Sequence, residues 1–399
     1  MADDSSRPLT ERGVSRVLYS FPHRLGSPGI GTTALHQIRG AIDSGLDVTI
    51  ACTSLAAPVE GACRVLETMS IRGRRVPHRT MGVERAYRYH DRRVARLLRG
   101  RGDGQFDVVH CWPLGGLRTL LAAREVGVAG VRELPNTHTA VAYELAAREA
   151  AAMGITMPRG YSHRPDSRRL AVEEEEYEAA TALLAPSPFV ARTVAERAPR
   201  ARVIRHRYGY DPSRFPAPPA APVDRPFTVS FVGTGEPRKG LHYALEAWHG
   251  AGLDEGSARF LVCGWMYPDY RAHLGPLLDH PSVRQLPFTD DVGGVLRASD
   301  VLVLASVEEG SALVTYEAQA SGCALLVSDA SGAMFEHGVH GFEHAAGDVA
   351  TLTRQLGELA RRPELRARMR AAVLARRQEL SWAEAARRLV AAYDEARAS

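Results

Sequence analysis

The sequence predicts an α/β protein made of two doubly wound domains, each a parallel sheet covered by helices on both faces. Short apolar runs alternate with stretches of helical spacing along the chain, which is the pattern of βαβ units. A Pro/Ala-rich segment at residues 216–226 interrupts this alternation, and the alternation then starts again. The length of 399 residues also suits two domains of about 150–200 residues.

The individual elements follow from these apolar runs. In the first half we predict strands at residues 14–20, 47–53, 107–111 and 183–186 and a helix at 32–44. In the second half we predict strands at 227–233, 259–264, 301–305 and 324–328, a helix at 240–248, and further helices from Leu352 onward. The predicted division is therefore a first domain at 1–212, a hinge at 213–226, a second domain at 227–378, and a C-terminal helix at 379–399 that packs back on the first domain.

Composition excludes several classes of protein. The 50 basic and 46 acidic residues give a net charge of only +4, which is too small for nucleic acid to be the main partner. The five cysteines form no C-x-x-C pair, so we expect reduced thiols and a cytoplasmic location. Residues 1–12 are polar and no run approaches 18 apolar residues, so we expect neither a signal peptide nor a membrane span.

The first candidate site is a glycine-rich loop that follows the strand at 227–233. It contains Gly233 and Gly235, and it ends in Arg238 and Lys239 directly before a predicted helix. Small residues let main-chain amides approach a phosphate, and two cations beside a helix N-terminus suit a diphosphate. Lys239 is the only lysine in the chain, which favours a specific need for an ammonium group there. An ordinary strand–helix turn with a surface Arg-Lys pair would show the same pattern.

The second candidate site follows the strand at 301–305. Gly310 and Ser311 are predicted to begin a helix. The main-chain amides of this first turn, those of Gly310, Ser311, Ala312 and Leu313, would then face a ligand. Glu309 and Glu317 flank this turn, and a helical rise of about 12 Å between them matches a sugar diphosphate. Glu308 is not chosen, because the residue at the same spacing is Tyr316. A capping acid and a helix-face acid would also give this spacing.

Together these segments resemble the retaining glycosyltransferases of family GT4 (glycosyl transferases group 1). The R-K-G, E-x7-E and S-D-x-x-G motifs of that family are here Arg238-Lys239-Gly240, Glu309…Glu317 and Ser328-Asp329-Ala330-Ser331-Gly332. The resemblance covers most of residues 227–350 and also includes Leu286-Pro-Phe, Ala298-Ser-Asp-Val301 and Gly341-Phe342…Gly347-Asp348. The first half matches more loosely, through Pro28-Gly29-Ile30-Gly31-Thr32, Asp107-Val-Val-His110 and Asn136-Thr137-His138. Two positions depart from the family: Tyr208-Gly-Tyr-Asp211 replaces N-G-V-D, and Thr234 stands where an arginine is usual, which leaves Arg238 as its substitute.

The resemblance implies a GT-B architecture, in which two Rossmann-like domains face each other across a cleft, and a nucleotide-diphosphate sugar as the donor. Arg238 and Lys239 would neutralise the diphosphate, Glu317 would bind the ribose, and Glu309 would hold the transferred sugar. His138 would contact the sugar and the distal phosphate, and Gly29 and Gly31, in the glycine-rich loop of the first domain, would contribute to donor binding. The implied reaction is a front-face displacement with retention, in which the leaving phosphate takes the proton of the acceptor hydroxyl or amine. We expect no cofactor and no metal ligand, because there is no D-x-D pair and Asp290-Asp291 is predicted to begin a helix.

The acceptor side is less defined. His110, Glu133 and Asn136 are the candidates: His110 is either a core histidine or a functional one, and Glu133 would have to face the cleft. The expected partners are a nucleotide sugar and a small-molecule or glycan acceptor, and the abundance of Arg and Ala is typical of GC-rich bacteria, in which such enzymes modify small natural products as often as lipids or polymers. The sugar, the base, the acceptor and the oligomeric state are not predicted.

Other functions share parts of this pattern. A pyridoxal-phosphate-dependent sugar phosphorylase would need a further lysine, whereas a nucleotide-sugar epimerase shares the fold and would turn over without an acceptor. A membrane-surface glycosyltransferase is suggested by a predicted helix at residues 84–101 with seven arginines, although an amphipathic core helix with an arginine-rich outer face is favoured. The acidic run at residues 173–176 is predicted to be a solvated helix face.

Overall fold

The computed structural model describes residues 13–71, 74–76, 82–100, 106–219, 225–286 and 289–398. The chain forms two compact units. The first contains Met1–Pro135, Asp166–Arg207 and Trp382–Ser399, and the second contains Asn136–Pro165 and Tyr208–Ser381. The predicted polar leader at 1–12, part of the predicted hinge (220–224) and the Pro-Phe of the Leu286-Pro-Phe motif lie outside the described residues.

The strands and helices alternate as predicted. The strands are β1 (Arg16–Leu25), β2 (Asp47–Leu55), β3 (Arg64–Glu67), β4 (Ser70–Ile71), β5 (Arg74–Arg75), β6 (Val108–Cys111), β7 (Ala129–Glu133), β8 (Ala182–Ala185), β9 (Val203–Arg205), β10 (Thr228–Val232), β11 (Arg259–Cys263), β12 (Val283–Leu286), β13 (Val301–Leu304), β14 (Ala324–Ser328) and β15 (Gly341–His344). The helices are α1 (Ile30–Asp43), α2 (Val83–Arg99), α3 (Leu117–Glu125), α4 (Thr139–Ala152), α5 (Ser167–Ala179), α6 (Pro188–Arg197), α7 (Leu241–Gly250), α8 (Pro268–Leu278), α9 (Val292–Arg297), α10 (Leu313–Ala320), α11 (Val349–Arg361), α12 (Pro363–Ala375) and α13 (Trp382–Arg397).

The first unit is built on a parallel sheet in the order β3-β2-β1-β6-β7-β8-β9. Val17, Leu18 and Tyr19 of β1 are consecutive and all fully buried, because helices cover both faces of the sheet. β1 extends five residues beyond its predicted end at residue 20, because it continues to pair with β2 as far as Leu25 and Leu55. A separate antiparallel pair is formed by β4 and β5.

The second unit is built on a parallel sheet in the order β12-β11-β10-β13-β14-β15. In chain order this is the 3-2-1-4-5-6 arrangement of a doubly wound dinucleotide-binding sheet. Its topological switch point lies between β10 and β13, which pair through Val229 with Val301 and Ser230 with Leu302. The loops after β10 and β13 therefore meet at the edge of the sheet where such folds bind ligands.

The unit boundaries differ from the predicted domains in one segment. Residues 136–165, which include α4, belong to the second unit and not to the predicted first domain at 1–212. Side chains of this segment are tied to the second unit: Thr137 bonds to Glu308, and Tyr243 donates to Glu149 at 2.7 Å. The C-terminal helix α13 belongs to the first unit, where it approaches α1 so closely that a side chain at Gly40 would overlap Ala386.

The arginine-rich helix α2 buries one face and exposes the other. Ala86, His90 and Val94 face the core of the first unit, whereas Arg85 and Arg88 are exposed. The favoured interpretation as an amphipathic core helix with an arginine-rich outer face therefore agrees with the structure.

The acidic run at 173–176 is not a simple solvated face, as the sequence had suggested. Glu173 and Glu176 are buried on α5 and pair with the buried Arg132 of β7, at 2.7 and 3.1 Å, while Glu174 and Glu175 are exposed. Burial alone would lower the pKa of Arg132, but the neighbouring acidic groups, among them Tyr177, outweigh it and raise the pKa. The helix period, which separates these acids into two faces, explains the difference.

None of the five cysteines forms a disulfide bond in the structure. Across the part of the chain that is described, no helix combines the length and the apolar character needed to cross a bilayer.

Candidate active site

The basic pair is fixed in place by a glycine. After β10 the chain forms a single 3-10 turn at Pro237–Lys239, and α7 begins at Leu241. Gly240, between them, adopts a left-handed φ of 67°, and a Cβ at this position would overlap the carbonyl oxygen of Ala305. Only glycine meets both conditions, so the R-K-G sequence holds the two cations against the end of β13.

Arg238 is a buried cation surrounded by carboxylates. Its guanidinium contacts Glu236 at 2.7 Å, Glu308 at 3.1 Å and Glu309 at 3.5 Å. Burial alone would lower the pKa of Arg238, but the charges of Glu309, Glu236 and Glu308 outweigh it and raise the pKa above its ordinary value. The guanidinium therefore keeps a full charge inside the protein.

Lys239 forms an ion pair with Glu309. Its Nζ contacts Oε1 of Glu309, an oxygen that also lies 3.3 Å from Oγ of Ser306, which donates to it. The Lys239 side chain is 17% exposed, compared with 10% for Arg238, so the ammonium is the more accessible of the two cations. The structure thus brings together Arg238, Lys239 and Glu309, three residues that the sequence assigned to one site.

Glu308 is a central residue that the sequence analysis missed. Its carboxylate is fully buried, accepts from the Thr137 hydroxyl at 2.8 Å and amide at 3.2 Å, and lies 3.3 Å from Nε2 of His163. Burial alone would raise the pKa of Glu308, but the bond from His163 and the charge of Arg238 outweigh it and hold the pKa below its ordinary value. The pairing of Glu308-Glu309 with Arg238-Lys239 was a usable signal, but the E-x7-E spacing favours Glu309, whose partner Glu317 is eight residues further on.

His138 follows Thr137 in the sequence and is the N-cap of helix α4. Its Nδ1 accepts from the amide of Ala140 at 3.2 Å, so Nδ1 carries no proton in this arrangement. His138 is buried, and its neighbour Thr137 is the residue that bonds to Glu308. Asn136, the first residue of the motif, is half-buried.

Helix α10 begins two residues later than predicted. Its N-cap is Ala312 and its first residue is Leu313, so Gly310 and Ser311 lie in the loop before it. The Ala312 amide donates to the carbonyl of Ser331 at 3.4 Å and is not directed at a ligand. The first-turn amides that helix geometry leaves without an intrahelical partner are therefore those of Leu313 and Val314.

The loop before α10 is held by the S-D-x-x-G motif. Ser311 Oγ lies 2.9 Å from the hydroxyl of Tyr316 and donates to the carbonyl of Gly332 at 3.1 Å. Gly332 has a left-handed φ of 64°, and a Cβ there would overlap the carbonyl oxygen of Gly310. These contacts, and not a helical turn, set the path from Glu309 to α10, so the helical rise assumed between Glu309 and Glu317 does not apply.

Glu317 is placed one turn into α10. Burial raises its pKa to about 7, and the charge of Arg214 opposes this shift. The carboxyl group is therefore partly protonated near neutral pH. An ionised carboxylate at this position accepts strong hydrogen bonds from hydroxyl groups.

The main-chain amides of the two glycines in the loop after β10 already have partners. The Gly233 amide donates to the carbonyl of Cys263 at 3.0 Å, and the Gly235 amide donates to that of Trp265 at 2.7 Å. A Cβ at Gly235 would overlap the side chain of Met266. The predicted role of these two amides as phosphate donors is therefore wrong, because the end of β11 already uses them.

Gly29 and Gly31 lie in the first unit, where Gly29 ends the turn between β1 and α1 and Gly31 is the second residue of α1. Gly29 is the N-cap of α1 with a φ of 81°, and it accepts at its carbonyl from the amide of Thr32 at 3.0 Å. A side chain at Gly31 would overlap the hydroxyl of Ser27. A part for these glycines in donor binding stays a prediction.

His110 and Glu133 belong to the core of the first unit, which corrects their predicted position on the acceptor side. Both are fully buried, and Glu133 contacts His110 at 3.3 Å, His206 at 2.9 Å and Gln37 at 3.1 Å. His110 also bonds through Nδ1 to the hydroxyl of Tyr393 at 2.8 Å. Burial lowers the pKa of His110, so the imidazole is neutral and structural. A strand-end position alone did not distinguish a core residue from one that faces a ligand.

The predicted helix start at Asp290-Asp291 is confirmed. Asp291 is the N-cap of α9 and accepts from the amide of Gly294 at 2.7 Å, so it acts as a cap.

Comparison with known proteins decides the family. The glycosyl transferases group 1 family matches residues 226–362, and glycosyltransferase family 4 matches residues 28–214. The chain belongs to glycosyltransferase family 4. The family 4 match covers β2 to β9 of the first unit, and the group 1 match covers β10 to β15 and the loops that carry Arg238, Lys239 and Glu309.

The sequence relatives match over short segments. A D-inositol 3-phosphate glycosyltransferase of Streptomyces scabiei is 39% identical over 88 residues, which are 22% of this chain and 20% of the relative. A second protein of that name, from Streptomyces griseus, is 37% identical over 109 residues, or 27% of this chain and 22% of the relative. The chain thus matches about a fifth of the length of these curated relatives.

Solved structures match over nearly the whole chain. A sucrose-phosphate synthase from Thermosynechococcus elongatus superposes with a TM-score of 0.69 at 17% identity and covers 96% of this chain and 98% of its own. Anabaena HepE in complex with UDP and glucose superposes with a TM-score of 0.64 at 15% identity, covering 94% and 98%. These likenesses and the two parallel sheets show that this family 4 chain has the GT-B fold.

Proposed function

We propose that this chain transfers a glycosyl group from a nucleoside diphosphate sugar to an acceptor hydroxyl or amine. The observation that carries the proposal is the placement of Arg238 and Lys239, which the R-K-G turn holds at the switch point of the second sheet, beside the N-terminus of α10. Two fixed cations and the first amides of a helix are suited to stabilise the negative charge of a leaving nucleoside diphosphate.

Lys239 is the cation that reaches the diphosphate. Arg238 is held by three carboxylates, whereas Lys239 has Glu309 as its contact and is more exposed. A donor phosphate therefore competes with Glu309 for the ammonium. Glu309 then accepts hydrogen bonds from hydroxyls of the transferred sugar, so that one ion pair couples phosphate binding to sugar binding.

Arg238 mainly holds the loops of the site in position. Its bonds to Glu236 and to Glu308 fix the 3-10 turn relative to the loop before α10. Thr137 donates to Glu308, and this bond fixes the position of the adjacent His138 relative to Arg238. Nε2 of His138 would then donate to the donor sugar or to the distal phosphate. Such preorganised groups stabilise charge in the transition state without rearranging during the reaction.

The mechanism that suits this arrangement is a retaining, front-face displacement without a metal ion. The bond from the anomeric carbon to the phosphate oxygen breaks while the acceptor oxygen approaches from the same face, and the leaving phosphate oxygen takes the acceptor proton. Lys239 and the α10 amides stabilise the charge that grows on that phosphate. Glu317 holds the ribose hydroxyls and thereby positions the nucleotide.

Uridine diphosphate is the first donor nucleotide to test, because a structural neighbour, HepE, is described in complex with UDP and with UDP-glucose. We propose a small natural product, a polyol or a glycan as the acceptor; the first is typical of enzymes from GC-rich bacteria, and the names of two relatives, both D-inositol 3-phosphate glycosyltransferases, suggest the second. Both assignments are part of the proposal.

The experiment has two stages. A thermal-shift screen against UDP-, GDP-, ADP- and dTDP-sugars identifies the donor, since a ligand present at about 100 times its Kd stabilises the fold by about 2.7 kcal/mol. Release of nucleoside diphosphate from that donor is then measured with and without an acceptor library. Transfer that depends on an acceptor supports the proposal, whereas sugar isomerisation without any acceptor would identify an epimerase.

A further inference from the structure

A second group of polar side chains lies at the far end of helix α7. His249 is in the last turn of α7, Asp254 is in the loop before β11, and His280 is in the turn between α8 and β12. One ligand atom from each residue lies within 4.8 Å of the others, and across the described part of the chain this is the only trio of His, Cys, Asp or Glu found to meet that condition. Nδ1 of His249 is 2.7 Å from Oδ2 of Asp254, and Nε2 of His280 is 4.0 Å from the same oxygen.

The hydrogen bonds of His249 direct its Nδ1 towards the carboxylate of Asp254. Its Nε2 lies 3.2 Å from the carbonyl oxygen of Leu277, which can only accept, so Nε2 carries the proton. In a neutral ring Nδ1 then presents a lone pair to the carboxylate of Asp254. Two lone pairs 2.7 Å apart repel each other unless a cation, either a proton or a metal ion, lies between them.

The surroundings of His280 are of the same kind. Its Nδ1 is 3.0 Å from Oγ of Ser282, which in turn accepts from Nε1 of Trp248 at 3.0 Å. The Ser282 amide also lies 3.3 Å from that Nδ1, so two tautomers are compatible with the geometry. In the tautomer that donates to Ser282 Oγ, Nε2 is free of a proton and faces Asp254. In metal sites, the ring nitrogen that does not bind the metal commonly donates to a hydroxyl or a carbonyl, and this bond orients the histidine.

We propose that His249, Asp254 and His280 form a binding site for a divalent transition metal ion of the zinc type. Two imidazoles and one carboxylate are a donor set that suits zinc, and three protein ligands leave a position open for water. Their side chains are 18%, 20% and 35% exposed, so an ion can enter while each ligand stays partly packed. The ion would link the end of α7 to the loop before β11 and to the α8–β12 turn.

This site is separate from the donor site. The ten residues of α7 rise about 15 Å, which places His249 at the opposite end of the helix from Gly240 and Lys239. A metal ion at His249 therefore cannot touch the donor phosphates. Its effect would be on the stability of the second unit.

A proton can replace the metal ion in this geometry. If His249 is protonated, it forms an ion pair with Asp254, and this bond lowers the pKa of Asp254 below its ordinary value. The test must therefore separate a metal site from a histidine–aspartate ion pair.

The test is a calorimetric titration of zinc chloride into the full chain after EDTA treatment and removal of the chelator. It is run at about pH 7.5, where protons compete less with the metal ion for the ligand atoms than in acid. All variants carry Cys63→Ser, because Cys63 is an exposed thiol that could bind zinc by itself. The site predicts one zinc ion per chain and a higher melting temperature when zinc is present.

The variants decide the assignment. His280→Ala and Asp254→Asn are expected to weaken zinc binding at least 100-fold, and Ser282→Ala about 10-fold, through the lost orientation of His280. His273→Ala, which changes an exposed histidine of α8, is the matched control and should bind zinc as the parent does. Cobalt(II) in place of zinc should give the visible absorption of a low-coordinate ion in the parent and not in Asp254→Asn. No binding by the folded parent, or equal binding by the parent and His280→Ala, would overturn the proposal and leave the ion pair as the explanation.

Discussion

Arg238 donates through Nη1 to both the main-chain carbonyl oxygen of Glu308, at 2.7 Å, and its carboxylate, at 3.1 Å. This double contact ties the turn after β10 to the loop after β13 at the switch point of the sheet. Because the Glu308 carboxylate also accepts from Thr137, one buried acid joins three segments of the second unit.

The first prediction concerns this buried pair. Glu308→Ala should destabilise the chain by about 3–5 kcal/mol, because Arg238 and His163 lose a buried partner. Glu308→Gln should cost less, since the amide oxygen can still accept from Thr137. Urea unfolding followed by circular dichroism measures both, with Glu255→Ala, an exposed acid of the same unit, as the control that stays within about 0.5 kcal/mol. A Glu308→Ala variant as stable as that control would show that the pair does not hold the loops.

Lys239 is predicted to be the main catalytic cation. Lys239→Ala should reduce kcat/KM for donor turnover by about 100- to 1,000-fold, the usual effect of removing one preorganised stabilising group. Lys239→Arg should recover only part of this loss, because the larger, planar guanidinium does not reproduce a compact ammonium. Steady-state release of nucleoside diphosphate is the measurement, and Arg284→Ala, an exposed arginine of β12, is the control. Near-normal kcat/KM in Lys239→Ala would remove the assignment.

The two glutamates are predicted to differ in what they bind. Glu317→Gln should weaken binding of the free nucleoside diphosphate by about 1.5–3 kcal/mol, or roughly 10- to 150-fold, because a charge-assisted bond to the ribose is lost. Glu309→Gln should not weaken binding of the free nucleotide, because it removes the carboxylate that competes for Lys239, and it should mainly lower turnover, since the proposed bonds of Glu309 are to the transferred sugar. Calorimetric titration of both variants tests this division. Equal losses of nucleotide affinity in the two variants would contradict it.

The raised pKa of Glu317 predicts a pH dependence. Because burial raises the pKa to about 7, the ionised fraction grows as the pH rises through neutrality, and nucleotide affinity should increase between about pH 6 and pH 8. Ionisation of the nucleotide itself contributes equally to the parent and to Glu317→Gln, so the difference between them isolates the carboxyl group. Stability should change in the opposite sense: the unfolded chain ionises Glu317 first, so the fold loses stability from about pH 4.5 up to pH 7, and Glu317→Gln should be relatively more stable above pH 7. Parallel affinity curves for the two proteins would show that Glu317 does not contact the nucleotide.

Transfer is predicted to survive EDTA. The charge of the leaving phosphate is assigned to Lys239 and to the amides of α10, and the proposed zinc site lies at the other end of α7. Chelation should therefore leave kcat unchanged while it lowers the melting temperature of the protein as purified with zinc. Loss of turnover that Mg²⁺ or Mn²⁺ restores would show that a metal ion stabilises the leaving group.

The sequence was sufficient for the fold and for the basic half of the site. Apolar runs such as Val301–Leu304 are buried on both faces of a parallel sheet, and this produces a clear signal. Lys239 was also identifiable, because a lone lysine beside a glycine-rich loop indicates a specific need for an ammonium group.

The rest of the site depends on contacts that are distant in the sequence. Glu308 was missed because its partners Thr137 and His163 are more than 140 residues away in the sequence, and no local pattern indicates such contacts. For the same reason Glu133 and His110 were placed on the acceptor side, although their partners His206 and Tyr393 close a buried network around them. The amides of Gly233 and Gly235 were assigned to phosphate because the approach of the β11 end could not be foreseen.

The most direct test of the central claim is a calorimetric titration of UDP, GDP, ADP and dTDP into the parent chain and into Lys239→Ala. We expect the parent to bind at least one of these nucleotides in a 1:1 complex. Lys239→Ala should bind the same nucleotide at least about 10-fold more weakly, because a charge-assisted contact to the diphosphate is lost. Binding of equal strength by the two proteins, or no binding of any of the four by the folded parent, would contradict it.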